Sequence, residues 1–180
     1  MVEEGGAGGG ALLPIERVVP DLVAPLAAGQ PVLLLLLDGM ASDVFRELLA
    51  DLSQRGWIEV APSATRVAPR VLAAFPTVTE VSRASLFAGR LCRGNASLEE
   101  TEFTSHEALR QASKAKKGPR LFHKEDLEAN SGVGLAAQVR ASIADPEQRV
   151  VGVVVNAVDD WLLKGDQLRP ELIQIGRAHV

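Results

Sequence analysis

The chain has 180 residues, of which 47% are hydrophobic and 23% are charged, and its formal net charge is −4. This composition suits one globular domain with a hydrophobic core and is too polar for a membrane protein. The acidic balance gives no signature of direct nucleic-acid binding, which usually shows as a basic stripe. Because Cys92 is the single cysteine, no internal disulfide can form, and we expect a cytoplasmic location.

The first third of the chain predicts a helix, a strand and a second helix. Residues 1–10 are rich in glycine and are expected to be flexible. The stretch "IERVVPDLVAPL" predicts a short helix that Pro20 and Pro25 interrupt. The apolar run "PVLLLLLDG" is typical of a central strand in a parallel sheet, covered by helices on both faces. The next helix is predicted over residues 41–56, with Ser42 or Asp43 as its cap.

Further strands and helices alternate along the rest of the chain. Strands are predicted at "WIEVAP", "RVLAAFP" and "RVVGVVVNAVDD", and helices at "EVSRASLFAGRL" and "GLAAQVRASIAD". Residues 93–131 are polar and are expected to be irregular. Strands that alternate with helices predict a doubly wound α/β structure.

Acidic and hydroxyl-bearing residues follow three of the predicted strands: Asp38, Thr77 with Thr79, and Asp159 with Asp160. Ligands bind at the carboxyl ends of strands in open α/β sheets, so these residues are candidates for one site. Asp38 either forms an ordinary Asp-Gly turn or binds a divalent metal ion, which would compensate its charge. The two later aspartates either cap a following helix or bind a ligand.

The segment "TVTE" has two interpretations. Thr77 and Glu80 have the spacing of a capping box, in which Thr77 closes the start of a helix, and Thr79 could cap in the same way. A helix N-terminus is also a site for phosphate. A hydroxyl there, beside a metal ion held by Asp38, could attack phosphorus. The residues alone leave both interpretations open.

Four stretches together carry a resemblance to a known family. The stretch "LLLLLDGM" followed by "FPTVTEVSRASLFAGRL", with "LFHKEDL" and "VVVNAVDDWL" further on, resembles the PglZ domain of type 2 BREX phage-defence systems, a branch of the alkaline phosphatase superfamily. The resemblance covers roughly residues 11–172. The hydroxyl segment also aligns without gaps with the Pro-Thr-x-Thr…Leu-x-x-Gly motif of nucleotide pyrophosphatases and phosphodiesterases.

The resemblance implies a fold and a set of site residues. The fold would be an alkaline-phosphatase-like three-layer α/β sandwich with a mostly parallel sheet. Thr79 would be the nucleophile and would also bridge the metal ions, and Asp38 would be a ligand of one ion. The remaining implied residues are Asp160 or Asp159 as a ligand of the second ion, Ser82 and Arg83 as phosphate contacts, and Thr77, His123 and Lys124 as further candidates. Ser82 departs from the asparagine that the related phosphodiesterases have at that position.

The function implied is that of a metal-dependent phosphatase or phosphodiesterase in BREX phage defence. Its cofactor would be Zn²⁺ or Mn²⁺, its substrate a phosphate ester and its partners other BREX proteins, with no membrane involved. The alternative is a non-catalytic α/β scaffold or partner-binding domain of the same defence system.

The family's later metal-binding histidines lie beyond the end of this sequence. We therefore expect residues 11–174 to be the N-terminal part of the domain, inactive alone. Residues 175–180, "IGRAHV", resemble a translated sequencing adapter and are expected to be a non-native tail.

Overall fold

The computed structural model describes residues 12–60, 69–114, 116–127 and 135–156. Within these ranges the strands are β1 (Leu12–Pro14), β2 (Val32–Leu37), β3 (Arg70–Leu72), β4 (Arg120–Phe122) and β5 (Val150–Val155). The α-helices are α1 (Ala24–Gly29), α2 (Ser42–Gln54), α3 (Thr79–Ala88), α4 (Ala96–Ser105), α5 (Glu107–Ser113), α6 (Lys124–Leu127) and α7 (Ala137–Ala144). No helix in the described ranges has the length and apolar character that crossing a membrane requires.

A parallel sheet in the order β2-β5-β4 forms the centre of the described structure, and β1 pairs with β3 in a separate parallel ladder. The central strand β5 is buried on both faces. Val150 and Val154 belong to one hydrophobic cluster, while Val151 and Val153 belong to a second cluster on the opposite face. The expected α/β architecture with a parallel sheet between helical layers is therefore confirmed.

The two hydrophobic clusters hold the helical layers against the sheet. In the first cluster, Phe87 of α3 and Phe103 of α4 meet edge to face, with ring centroids 5.4 Å apart. In the second cluster, Val139 of α7 packs with Phe122 of β4. Helices α3 and α4 thus both pack into the first cluster, which is the larger of the two.

Among the described strands, the apolar run of β2 does not occupy the central position that its composition predicts. β5 occupies the centre, and β2 pairs along one side of it. Leu34 and Leu36 pack against the first cluster, whereas Leu33 is 46% exposed and Leu35 is 50% exposed. In the described part of the chain, only one face of β2 is well covered.

Of two local predictions near the N-terminus, the first is confirmed in part and the second is wrong. The segment after β1 is helical, as a 3₁₀ turn (Ile15–Arg17), a π-helical turn (Val19–Val23) and then α1. Pro20 and Pro25 each stand in the first two positions of a new element, so the helix type changes at each proline but the chain stays helical. Helix α2 begins after Ala41, which is its N-cap, so neither Ser42 nor Asp43 caps it.

Two further predictions fail in the middle of the chain. Residues 57–60 form no strand, and Trp57, Ile58 and Val60 are exposed. The stretch after residue 93, predicted to be irregular, contains α4, α5 and β4. Asn95 begins α4 by accepting a hydrogen bond from the Leu98 backbone N–H at 3.1 Å.

Gly152 allows α4 to pack closely on the central strand. A Cβ atom at this position would lie 2.6 Å from Leu121 Cδ1 and 3.2 Å from ring carbons of Phe103. Because Gly152 has no side chain, Phe103 of α4 can lie directly against β5.

The substitution Gly152→Ala is expected to lower the free energy of unfolding by about 1–3 kcal/mol, the usual cost of overpacking a core. Chemical denaturation of the full chain measures this loss. The matched control is Gly118→Ala, because a Cβ atom at residue 118 meets nothing within 4 Å. Equal stability of the two variants would show that the contact between α4 and β5 is not tight.

Candidate functional site

A cleft of about 160 Å³ lies where the carboxyl end of β2 meets the N-terminus of α3. Its polar lining consists of Asp38, Thr77, Thr79, Ser82 and Arg83. The structure thus brings together five of the residues that the sequence singled out. Asp159 and Asp160 lie outside the described residues, and their roles remain predictions.

The start of α3 is not closed by a capping box. Val78 is the N-cap, with φ −93° and ψ 153°, and no side chain caps the helix. Thr79 is the first helical residue. Within the described part of the chain, the hydroxyls of Thr77 and Thr79 make no hydrogen bond. The capping interpretation is wrong because the helix starts one residue later than the motif requires.

Ser82 connects α3 to the segment that precedes it. Its hydroxyl donates to the backbone carbonyl of Ala74 at 3.2 Å, close to the cis peptide bond between Phe75 and Pro76. Ser82 lies in the cleft, but this bond engages its proton. Its role as a phosphate contact stays a prediction.

Arg83 lies between two carboxylates. Its Nε–H group donates to Glu99 at 2.9 Å (Oε1) and 3.0 Å (Oε2), and its Nη1 group donates to Asp38 Oδ2 at 2.9 Å. The Arg83 side chain is only 13% exposed. Asp38 itself follows β2 in a turn with Gly39, whose φ is +72°, and its backbone N–H donates to Val155 O at 3.0 Å. Asp38 therefore forms the predicted turn and also carries a site carboxylate.

Glu99 links Arg83 and Asp38 to His123, which follows β4 at the opposite edge of the described three-stranded sheet. Its side chain is 1% exposed, and Oε2 lies 2.8 Å from His123 Nε2. Burial alone would raise the pKa of Glu99, but the hydrogen bonds and positive charge that His123 and Arg83 supply outweigh burial and lower the pKa. Because the resulting carboxylate can only accept, His123 Nε2 is the donor.

Two further candidates from the sequence lie away from the cleft lining. His123 is buried, and its backbone N–H donates to Asp126 Oδ2 at 2.9 Å, so it reaches Arg83 only through Glu99. Lys124 is the first residue of α6. Neither residue lines the cleft.

Sequence reasoning missed Glu99. The available signal was its spacing: Glu99 and Phe103 are four residues apart and are the two buried residues of α4. An acid on the buried face of a helix indicates a partner inside the protein, but this signal requires that residues 96–105 are first recognised as helical.

The cleft offers oxygen donors that suit a divalent metal ion. Oδ1 of Asp38 and the hydroxyl of Thr79 make no hydrogen bonds among the described residues. No group of three or more histidine, cysteine, aspartate or glutamate side chains in the described ranges could hold a metal ion. Asp38 and Thr79 thus fit part of a ligand set, as expected if Asp159 or Asp160 supplies the remainder.

Comparison with known proteins identifies the kind of domain. A family model described as the BREX system PglZ alkaline phosphatase-like domain matches residues 16–171. No curated protein matches the chain. The matched range includes every polar residue of the cleft lining and both Glu99 and His123.

The lowered pKa of Glu99 predicts a pH-dependent stability. Glu99 stabilises the fold fully above its ordinary pKa of 4.5, and this contribution is lost as pH falls through the lower pKa of the folded state. Chemical denaturation at several pH values should show wild type exceeding Glu99→Gln near neutral pH and converging with it in acid. Glu102→Gln is the control, because Glu102 lies on α4 with Glu99 but pairs with Arg90, which lies between α3 and α4. A constant difference between wild type and Glu99→Gln would contradict the assignment.

Proposed function

The chain belongs to the PglZ family of BREX-system alkaline phosphatase-like domains, and from this membership we propose that its cleft hydrolyses phosphate esters with a divalent metal ion. One observation carries the proposal. The hydroxyl of Thr79, which makes no hydrogen bond among the described residues, lies in the same cleft as the carboxylate of Asp38 and the guanidinium of Arg83. These groups are a nucleophile, a metal ligand and an anion-binding cation.

In the proposed reaction, Thr79 Oγ1 attacks phosphorus, so that an O–P bond forms as the bond to the ester oxygen breaks. The Thr79 hydroxyl gives up its proton to solvent, and the ester oxygen takes up a proton and leaves as the alcohol. Water then hydrolyses the threonine–phosphate bond and restores the Thr79 hydroxyl, which releases phosphate from a monoester or a phosphomonoester from a diester. Arg83 binds a phosphoryl oxygen, and the N-terminus of α3 adds a favourable dipole.

Asp38 would hold the metal ion through Oδ1 while Oδ2 accepts from Arg83. Thr79 would be a shared ligand, and Asp159 or Asp160 would complete the set. Zn²⁺ is the preferred ion, with Mn²⁺ as the alternative. A bound divalent ion supplies activation of the hydroxyl and neutralises charge on the phosphoryl oxygens. Ser82 would contact the phosphate through its oxygen.

The biological setting that follows from the family is BREX phage defence, with other proteins of the system as partners. The second candidate function is a non-catalytic scaffold within the same system. The observation that favours it is the partial ligand set of the described residues. The enzyme would need the Thr79 hydroxyl for hydrolysis. In the scaffold, Thr79 would only be the first residue of α3.

In a protein that contains the whole domain, Thr79→Ala is expected to reduce metal-dependent hydrolysis of a phosphomonoester or phosphodiester at least about 10³-fold, because the nucleophile is lost. The melting temperature should change little, since the hydroxyl has no hydrogen bond to lose. Steady-state hydrolysis with added Zn²⁺ or Mn²⁺ measures the effect.

Thr77→Ala is the matched control, since Thr77 lines the same cleft and also lacks a hydrogen bond. It should retain hydrolysis within about tenfold of wild type. Activity that survives in Thr79→Ala would show that Thr79 is not the nucleophile. No activity on either ester of a metal-loaded wild-type protein that contains the whole domain would favour the scaffold.

Asp38→Asn is expected to weaken zinc binding by more than about 100-fold, because loss of an outer-shell partner alone costs about 10–100-fold. Metal content after dialysis against a zinc buffer measures this change independently of activity. Asp43→Asn is the control, because Asp43 lies at the start of α2, outside the cleft lining, and among the described residues its carboxylate accepts only from the Val44 backbone N–H. Zinc affinity that is unchanged in Asp38→Asn would remove Asp38 from the ligand set.

A further inference from the structure

Glu99 is a buried charge that the proposed reaction does not use. The residue is 0% exposed and lies on α4, outside the cleft lining. A buried carboxylate is costly unless charged partners and hydrogen bonds compensate it. Its two partners are Arg83 and His123, so the reason for burying Glu99 lies in what it does to them.

The contacts of Arg83 leave one part of its guanidinium unused. Nε is bound by Glu99 and Nη1 by Asp38, whereas Nη2 makes no hydrogen bond with the described residues. The guanidinium is planar, with its N–H groups in a fixed fork. Fixing Nε and Nη1 therefore also fixes the position of Nη2 in a side chain that lines the cleft.

We propose that Glu99, itself held by His123, is a positioning residue that fixes Arg83 so that its unused N–H groups bind the phosphoryl oxygens of the substrate. This inference rests on the proposed function for the identity of the anion. Glu99 touches Arg83 and not the substrate, so its effect passes entirely through the guanidinium.

Glu99 is the better anchor of the two carboxylates. The Asp38 side chain is 21% exposed, and the proposed metal ion would share it, whereas the Glu99 side chain is 1% exposed. Glu99 also accepts from His123, whose backbone is tied to Asp126. Hydrogen bonds therefore connect His123, just after β4, through Glu99 on α4 to Arg83 on α3. Without Glu99, Asp38 would be the only described carboxylate that binds Arg83.

The experiment is calorimetric titration of the full chain with inorganic phosphate, with zinc present and again with a chelator. Glu99→Gln keeps the size of the side chain and removes its charge. It should weaken phosphate binding about 10-fold or more, in line with the strength of charge-assisted hydrogen bonds. Glu102→Gln, one turn further along α4 in an exposed ion pair with Arg90, should bind phosphate as wild type does.

A double-mutant cycle separates positioning from a purely structural role. Arg83→Gln should also weaken phosphate binding, and adding Glu99→Gln to it should change the affinity less than about twofold, because linked residues are not additive. If Glu99→Gln does not fold, Glu99→Asp keeps the charge but shortens the reach, and it should also weaken phosphate binding.

Unchanged phosphate affinity in Glu99→Gln, even with a lower melting temperature, would overturn the inference, as would additive losses in the cycle. A wild-type chain that binds no phosphate would overturn it too. Failure of the proposed hydrolysis is a separate result. A chain that hydrolyses no ester but loses phosphate affinity in Glu99→Gln would retain the positioning role and lose the reaction.

Discussion

The sharing of one arginine by two carboxylates is the interaction on which the site depends. Arg83 on α3 binds Asp38 at the end of β2 and Glu99 on α4, and Glu99 binds His123 after β4. Removing any one charge would leave another without its partner in a poorly solvated place, which is costly. The network therefore ties two strands and two helices to the same geometry, and it keeps a cation beside the Thr79 hydroxyl.

The fold supplies this geometry through ordinary packing. Parallel pairing of β2 with β5 fixes the position of Asp38 at the carboxyl end of β2. Gly152 lets α4 pack closely on β5, which places Glu99 within hydrogen-bonding distance of Arg83. Val78 starts α3 so that Thr79, Ser82 and Arg83 occupy its first two turns. The proposed reaction needs a nucleophile and a cation at one helix end, and in the proposal Thr79 and Arg83 would supply them.

Composition and periodicity were sufficient to predict β5, α3 and the α/β class, because buried runs and caps leave strong local signals. They also placed Asp38 and Thr79 at the same predicted edge of the sheet, whereas Arg83 was implied only by the resemblance to the PglZ domain. They could not predict α4, since only Glu99 and Phe103 of this polar helix are buried. They also misplaced the start of α3, because the capping motif at Thr77 is local, whereas the position of the helix is set by its packing with α4 and the sheet.

Mass spectrometry can test whether the cleft at the start of α3 transfers phosphoryl groups through Thr79, as proposed. A metal-loaded protein that contains the whole domain would be mixed with a phosphate ester, quenched in acid and digested. We expect a phosphoryl group on the peptide that contains Thr79, located at Thr79 by fragmentation. Turnover of the ester with phosphate on another residue, or with no phosphorylated residue at all, would contradict it.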